Sequence, residues 1–452
     1  MNRKHIRYYI YILLAFFLIT ACLSLLPVKM IEPCDLSYHK AMLIYGQGRF
    51  TLQEDDLKDE SIRLMVILPR DQSGRPIFEK PPGQGLWLAF LHSAGLERLS
   101  NLFMGLIAVS LIYWVLLLCF RERDSNGNSK KVAFIASLLF ITNPTFLAMH
   151  YRTYMSDLSG AVLVSLGLFL YLYSLRYSSK TAAFFSGVVV ALSVMFKYTN
   201  VLAAVVVFIF EICLFLKERR MHYKNFAIFF SGFTLAIFPL IIYHVHYFGS
   251  PFSTGYDYRM GKSYFGWDGP VFSLKYLLLN FPPSIPRFLV GFPLVLLLPL
   301  GLFNIPKKLT AEKIFFIIWI LVFGLSYLFY TRYAFNLYSP AEFSISFYYL
   351  CRKFLPILIP MAMLTAPAFM DMSLKKTTAV LVVLILFSLG AFTQYVSDLV
   401  VGDMHRQFEE YPSGFLGKVE KRNWDFNNDG VVDDLEKKAI HKFITMGKEY
   451  RW

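Results

Sequence analysis

Five ionisable residues near the ends of apolar segments are the best candidates for chemistry in this sequence. They are two carboxylates and three cations: Asp35, Asp157, Lys80, Arg152 and Lys197. A carboxylate can act as a general base or ligate a divalent metal ion. Lys and Arg can hold a phosphate through charge-assisted hydrogen bonds. The set therefore predicts a site at which a phosphate is bound beside a general base or a metal ion.

Each of these side chains also has a purely structural interpretation. Asp157 stands at the start of an apolar segment, where a carboxylate often caps a helix. Arg152 and Lys197 have the positions of interfacial anchors. Lys80 precedes Pro81-Pro82 and could mark a turn into an interfacial helix. The sequence alone leaves both interpretations open.

The composition is that of a membrane protein. The chain has 452 residues, of which 56% are hydrophobic and 17% aromatic. A soluble domain of this size could not cover its surface with so few polar groups. The formal charge is +14, but Lys and Arg lie mostly in short connectors between apolar runs. That pattern follows the positive-inside rule and argues against nucleic acid as a partner.

The apolar runs predict an all-α polytopic protein with about eleven transmembrane helices of the length that crosses about 30 Å of hydrocarbon. Lys197 interrupts one double-length run and predicts an outer turn between two of these helices. The remaining nine predicted spans are roughly 8–26, 102–120, 132–149, 158–175, 225–243, 288–304, 314–330, 354–370 and 377–395. Glu211, near the inner end of its span, is expected to reach the membrane interface with its carboxylate.

The basic connectors also predict the orientation of the chain. Arg3, Lys4 and Arg7 set the N-terminus on the cytoplasmic side of the plasma (inner) membrane, and an odd number of spans leaves the C-terminus outside. The long polar loops then all face outwards: 27–101, 244–287, 331–353 and the tail from 396. Polar backbone at membrane depth has to be covered by protein or water, so these loops should pack together as a cap. Residues 1–395 form the predicted membrane domain and 396–452 an outer tail.

Several short motifs occur in an order that resembles a known family. They are Asp35-Leu36-Ser37-Tyr38; Phe78–Pro82 with Trp87; Asn143-Pro144 followed by Arg152 and Asp157; Phe196-Lys197; Phe248–Pro251 with Thr254-Gly255-Tyr256; and Arg352 to Pro356. On this topology they resemble the GT-C glycosyltransferases of the protein O-mannosyltransferase and aminoarabinose transferase superfamily. Two positions depart from the family's pattern. Leu36 replaces the second carboxylate after Asp35, and Lys353 replaces the Tyr that usually follows the Arg.

The resemblance implies an inverting hexosyl- or pentosyltransferase. Its donor would be a polyprenyl-phosphate sugar in the membrane lipid, and its acceptor a glycan, lipid or protein on the outer side. Asp35 would be the general base that deprotonates the acceptor, or Asp35 and Asp157 would hold a divalent cation. Lys80, Arg152 and Lys197 would bind the donor phosphate. The sequence does not identify the sugar or the acceptor.

The outer tail contains a second motif, typical of a single EF-hand or dockerin-type calcium loop at 425–436. Gly430 occupies the sixth position, where the backbone of such a loop turns sharply. The predicted Ca²⁺ ligands are Asp425, Asn427, Asp429, the carbonyl of Val431, Asp433 and Glu436. The alternative is a solvated acidic turn.

Two other functional classes remain open alongside the enzyme. A transporter or lipid flippase places ionisable residues near the middle of the bilayer and breaks helices there. Here the charges collect at the ends of the spans, which favours chemistry at one surface. A calcium-dependent scaffold would use the tail but would leave the first outer loop unexplained.

Overall fold

Helices account for nearly all of the described chain. A computed structural model describes residues 3–26, 33–58, 71–121, 128–151, 154–218, 222–255, 265–266, 272–273, 285–305, 310–328, 340–370 and 372–400. Its α-helices are α1 (Arg3–Ser24), α2 (Pro33–Gly46), α3 (Pro82–His92), α4 (Ser100–Arg121), α5 (Asn128–Ile141), α6 (Pro144–His150), α7 (Ser156–Tyr177), α8 (Lys180–Phe196), α9 (Leu202–Glu218), α10 (Tyr223–Phe248), α11 (Leu298–Asn304), α12 (Thr310–Leu328), α13 (Pro340–Thr365) and α14 (Leu374–Val400). The strands β1 (Phe265–Gly266) and β2 (Phe272–Ser273) form one parallel pair. The predicted all-α class is confirmed for these residues.

The protein is a multi-pass membrane protein. Six helices in the described part of the chain are long and apolar enough to cross a bilayer: Ile6–Ser24, Glu97–Cys119, Ser156–Tyr177, Tyr198–Lys217, Tyr223–Phe248 and Leu374–Val396. The number rises to eight if each of two bent helix pairs forms one span. At the three other predicted positions lie the helices α8, α12 and α13. The count of about eleven stays a prediction.

The bend between α5 and α6 follows from two adjacent residues. The side chain of Asn143 accepts a hydrogen bond from the backbone N–H of Thr145 at 2.9 Å and so caps α6. Pro144 occupies the first position of α6, where its missing N–H is not needed. The two helices meet at 57°. The apolar run predicted as one span, 132–149, is therefore bent at Asn143-Pro144.

Small residues bring α8 and α10 into close contact. A Cβ at Gly187 would overlap the carbonyl oxygen of Phe229, and one at Gly232 would overlap that of Phe184. The large core beside this pair buries aromatic side chains fully, including Trp319, Phe210 and Phe315. The ring centroids of Phe210 and Phe315 are 4.8 Å apart and join α9 to α12. This packing joins α8 to α10 and α9 to α12.

Glu211 is buried, so the expectation that it reaches the interface was wrong. Its side chain has no exposed surface. Oε1 accepts a hydrogen bond from the Tyr171 hydroxyl at 2.7 Å, and Oε2 accepts one from the backbone N–H of His222 at 3.0 Å. Because α10 begins at Tyr223, the carboxylate satisfies a backbone donor next to the start of that helix. The charge has local partners and does not need to reach the interface.

Candidate active site

A buried carboxylate with two cations forms the centre of the candidate site. Asp157 Oδ1 accepts a hydrogen bond from Lys197 Nζ at 2.7 Å, and Asp157 Oδ2 accepts one from Arg352 Nε at 3.0 Å. The side chains of Asp157, Lys197 and Arg352 are only 1%, 14% and 12% exposed. We call these three residues the Asp157 cluster. It joins three helical segments far apart in the sequence.

The backbone explains how Asp157 and Lys197 come together. Asp157 is the second residue of α7, where the positive end of the helix dipole favours a carboxylate. Lys197 is extended, with φ −157°, and separates α8 from the 3₁₀ turn Tyr198–Val201. Its ammonium also lies 3.4 Å from the carbonyl oxygen of Arg352. The N-cap of α7 is Met155, and both carboxylate oxygens of Asp157 bind cations, so the structure assigns Asp157 ion pairs where the sequence suggested a helix cap.

Arg352 was not among the site residues predicted from the sequence. It lies in α13, four residues before Pro356. In the sequence, Arg352 belongs to the motif Arg352–Pro356, which carries part of the family resemblance. The available signal was a basic pair, Arg352-Lys353, directly before an apolar run. Lys353 adds a third positive charge that acts on Asp157. Positive charge therefore exceeds negative charge around this carboxylate.

Lys80 lies at the start of α3, next to the same end of the bundle. Its ammonium pairs with Glu79 Oε1 at 2.6 Å, and the two side chains are 12% and 4% exposed. A Cβ added at Gly83 would lie 2.6 Å from the carbonyl oxygen of Met195, at the end of α8. Gly255 packs in the same way against the backbone of Glu79. The Lys80 segment is therefore held between α8 and the loop that follows α10.

Asp35 lies in the first turn of α2, and α2 contacts the site directly. Three residues later on the same helix, the hydroxyls of Tyr38 and Ser156 hydrogen-bond at 2.9 Å. Ser156 is the residue before Asp157. Positions three apart in a helix share one face, so the backbone position of Asp35 is on the face of α2 that meets the start of α7.

His39 is a half-buried residue of this helix. Its ring meets that of Tyr154 edge-on at 5.1 Å. Burial, helped by the nearby charge of Lys40, lowers the pKa of His39 to about 4. The side chain is therefore neutral at neutral pH.

The other predicted site residues cannot be placed in the same way. Arg152 and the whole calcium loop, from Asp425 to Glu436, lie outside the described residues. Among the residues that are described, no three His, Cys, Asp or Glu side chains are grouped to hold a metal ion. The divalent cation at Asp35 and Asp157 stays a prediction. So do the roles of Lys80, Arg152 and Lys197.

Replacing Gly83 by alanine is expected to loosen the contact between α3 and α8. The new Cβ would lie 2.6 Å from the Met195 carbonyl oxygen and 2.9 Å from a Phe196 ring carbon. Overpacking of this kind costs about 1–3 kcal/mol, so the thermal midpoint in detergent should fall. Gly324→Ala is the control, because an added Cβ in α12 meets nothing within 4 Å. An unchanged midpoint for Gly83→Ala would contradict the close contact.

Solved structures share this architecture. No protein-family model and no curated protein sequence matches the chain. ArnT from Cupriavidus metallidurans bound to undecaprenyl phosphate matches with a TM-score of 0.57 at 11% identity, over 88% of this chain and 79% of its own. The apo state of the same protein matches with a TM-score of 0.58 at 12% identity, over 86% of this chain and 76% of its own.

A second solved protein shares the fold over a smaller part of its length. The archaeal oligosaccharyltransferase AglB from Archaeoglobus fulgidus, in complex with an inhibitory peptide and a dolichol-phosphate, matches with a TM-score of 0.50 at 11% identity. The match covers 88% of this chain and 56% of AglB. Both ArnT and AglB are GT-C glycosyltransferases. The chain therefore has the fold of the GT-C glycosyltransferases, as the ordered motifs predicted.

Proposed function

We propose that the protein is an integral membrane glycosyltransferase. It moves a sugar from a polyprenyl-phosphate donor to an acceptor on the outer face of the plasma membrane. The observation that carries the proposal is the Asp157 cluster, a buried carboxylate with two cations at one end of a GT-C fold. The ArnT and AglB structures with undecaprenyl phosphate and dolichol-phosphate support the choice of a lipid-linked donor.

The charge of the cluster suits the leaving group of this reaction. A polyprenyl-phosphate sugar is a phosphodiester with one negative charge, whereas the released polyprenyl phosphate is a monoester with a charge near −2 at neutral pH. Negative charge therefore develops on the phosphate as the bond to the sugar breaks. Cations that are already in position stabilise that charge. Lys197, Arg352 and Lys80 supply them in this proposal, together with Arg152.

Asp157 positions these cations. Both of its oxygens are taken by Lys197 and Arg352, which leaves Asp35 as the better candidate for the general base. In the transfer, an acceptor hydroxyl attacks the anomeric carbon of the sugar and gives its proton to Asp35. The carbon–oxygen bond to the phosphate breaks, and polyprenyl phosphate leaves with the electron pair. A single displacement of this kind inverts the anomeric configuration.

The experiment that tests this proposal separates chemistry from transport. Purified protein in liposomes would receive undecaprenyl phosphate carrying radiolabelled mannose, glucose, galactose or arabinose, with a membrane extract as the source of acceptor. A glycosyltransferase releases undecaprenyl phosphate and transfers the label to a product without the lipid carrier. Movement of intact donor between leaflets, with the sugar–phosphate bond unbroken for every donor, would support a transporter or flippase and contradict the proposal.

We also propose that calcium binds the tail loop at 425–436 and orders residues 396–452 against the outer cap or a partner. Its ligand pattern supports this, because oxygen donors occupy the EF-hand positions around Gly430. Calcium is expected to protect the tail from limited proteolysis in purified wild-type protein. Glu436→Gln replaces one carboxylate oxygen of the last ligand by an amide nitrogen and removes its negative charge. It should therefore weaken the protection by calcium. Equal cleavage of the wild type with calcium and with a chelator would overturn the calcium site.

A further inference from the structure

Gln84 has a buried polar atom that the fold does not satisfy. The residue lies in the first turn of α3 and its side chain is fully buried. Its Nε2 donates a hydrogen bond to the carbonyl oxygen of Tyr154 at 3.2 Å. Its Oε1 is buried without a hydrogen-bond partner within the described part of the chain. Buried polar atoms in native proteins nearly always have partners, so such an atom needs an explanation.

The orientation of the amide is set by its neighbour. The Tyr154 carbonyl can only accept a hydrogen bond, so the nitrogen of Gln84 has to face it. Turning the amide over would bring two acceptor oxygens together. Oε1 is therefore the end of the amide that does not face this carbonyl, and it can only accept. A phosphate oxygen would be repelled there, whereas a hydroxyl group would be bound.

Gln84 stands where the elements of the candidate site meet. It follows Lys80 by four residues, and its neighbour Gly83 lies against the end of α8, directly before Lys197. Its partner Tyr154 lies three residues before Asp157. Within the described residues, two further buried hydroxyls have no hydrogen-bond partner, those of Ser37 on α2 and Ser159 on α7. Gln84 thus lies on the segment that follows Lys80 and next to the segments that carry Lys197 and Asp157.

We propose that Gln84 is a specificity-determining residue whose Oε1 accepts a hydrogen bond from a hydroxyl of the donor sugar. The inference rests on the proposed function, since it takes the phosphate of the same donor to lie at the neighbouring cations. The charges hold the carrier phosphate, which all donors of this class share. Gln84 distinguishes among the sugars, because a site built to accept from a hydroxyl rejects an analogue that lacks it.

The test compares binding of bare carrier lipid with binding of donor. The probes are undecaprenyl phosphate alone and undecaprenyl phosphate carrying mannose, glucose, galactose or arabinose, measured on reconstituted full-length protein. Gln84→Met keeps the length of the side chain and removes the acceptor. We expect it to leave the affinity for undecaprenyl phosphate within about twofold and to lower that for the best sugar-bearing lipid about tenfold. Gln72→Met is the matched control, because Gln72 Nε2 also donates to a backbone carbonyl, that of Val245, but on an exposed side chain.

Monodeoxy analogues of the best donor make the test specific. In the wild type, one analogue should bind about tenfold more weakly than its parent, and Gln84→Met should bind that analogue and the parent equally. Equal weakening of bare lipid and donor by Gln84→Met, or no change in either, would overturn this role while leaving the proposed function standing. Failure of the wild type to bind undecaprenyl phosphate and every donor would overturn the proposed function and this inference together.

Discussion

Replacing Asp157 by asparagine is expected to destabilise the protein by about 3–5 kcal/mol, the cost of removing one partner from a buried ion pair. The substitution keeps the shape of the side chain but leaves Lys197 and Arg352 close together without their shared counter-charge. Both cations are largely buried, so water screens their repulsion poorly. The measurement is the thermal midpoint of purified protein in detergent, which should fall by many degrees.

Two further variants show whether the effect belongs to the cluster. Asp55→Asn removes the carboxylate of the Lys58 ion pair, whose side chains are 83% and 78% exposed, and should leave the midpoint unchanged. Asp157→Asn combined with Lys197→Met removes one of the two cations as well and should recover part of the loss. A midpoint for Asp157→Asn equal to that of the wild type would show that the cluster does not hold these elements together.

Replacing Asp35 by asparagine should reduce the rate of sugar transfer by a factor of about 10²–10⁴, the usual contribution of a general base. Asparagine cannot take the acceptor proton, but it does not disturb the cations that hold the donor phosphate. The fall should therefore appear in turnover at saturating donor, with donor affinity little changed. Single-turnover assays with reconstituted protein would separate the two quantities.

The alternative role of Asp35 as a metal ligand makes a different prediction. A chelator would then abolish activity of the wild type, and added Mg²⁺ or Mn²⁺ would restore it. A general base predicts activity that is insensitive to chelation at the site. His39→Asn serves as the control for the fold of α2, since His39 is half-buried on the same helix four residues after Asp35 and packs against Tyr154. Full activity of Asp35→Asn would remove this residue from the mechanism.

The helices could be predicted because the length and apolar character of each segment are local properties. The interruption of one long apolar stretch at Lys197 predicted a turn there, and α8 does end at Phe196 before α9 begins at Leu202. The bend at Asn143-Pro144 was available in the sequence as a capping residue followed by Pro at the first helical position. The prediction of one span at 132–149 did not include this bend, and it stays a prediction that the two bent helices cross the membrane as one span.

Tertiary partners were harder to predict. Asp157 and Lys197 were both candidates, but Arg352 lies 195 residues from Asp157 in the sequence, and no local pattern connects them. The prediction that Glu211 reaches the interface was wrong for the same reason. Its partner Tyr171 lies on a different helix, 40 residues away in the sequence. The Glu79 partner of Lys80 is its direct neighbour in the chain. The sequence does not show that this pair is buried, because its burial comes from packing against α8 and the loop that follows α10.

The most direct test of the central claim is release of undecaprenyl phosphate from sugar-bearing donors by reconstituted wild type, Asp35→Asn and Lys80→Ala. We expect release by the wild type with at least one donor and a large loss in both variants. Asp35→Asn should retain its thermal midpoint, whereas Lys80→Ala should have a lower one, because Glu79 is left buried without its cation. Lys80→Ala should also weaken donor binding, whereas Asp35→Asn should not. Release at the wild-type rate by both variants would contradict a donor site formed by the first outer loop and the Asp157 cluster.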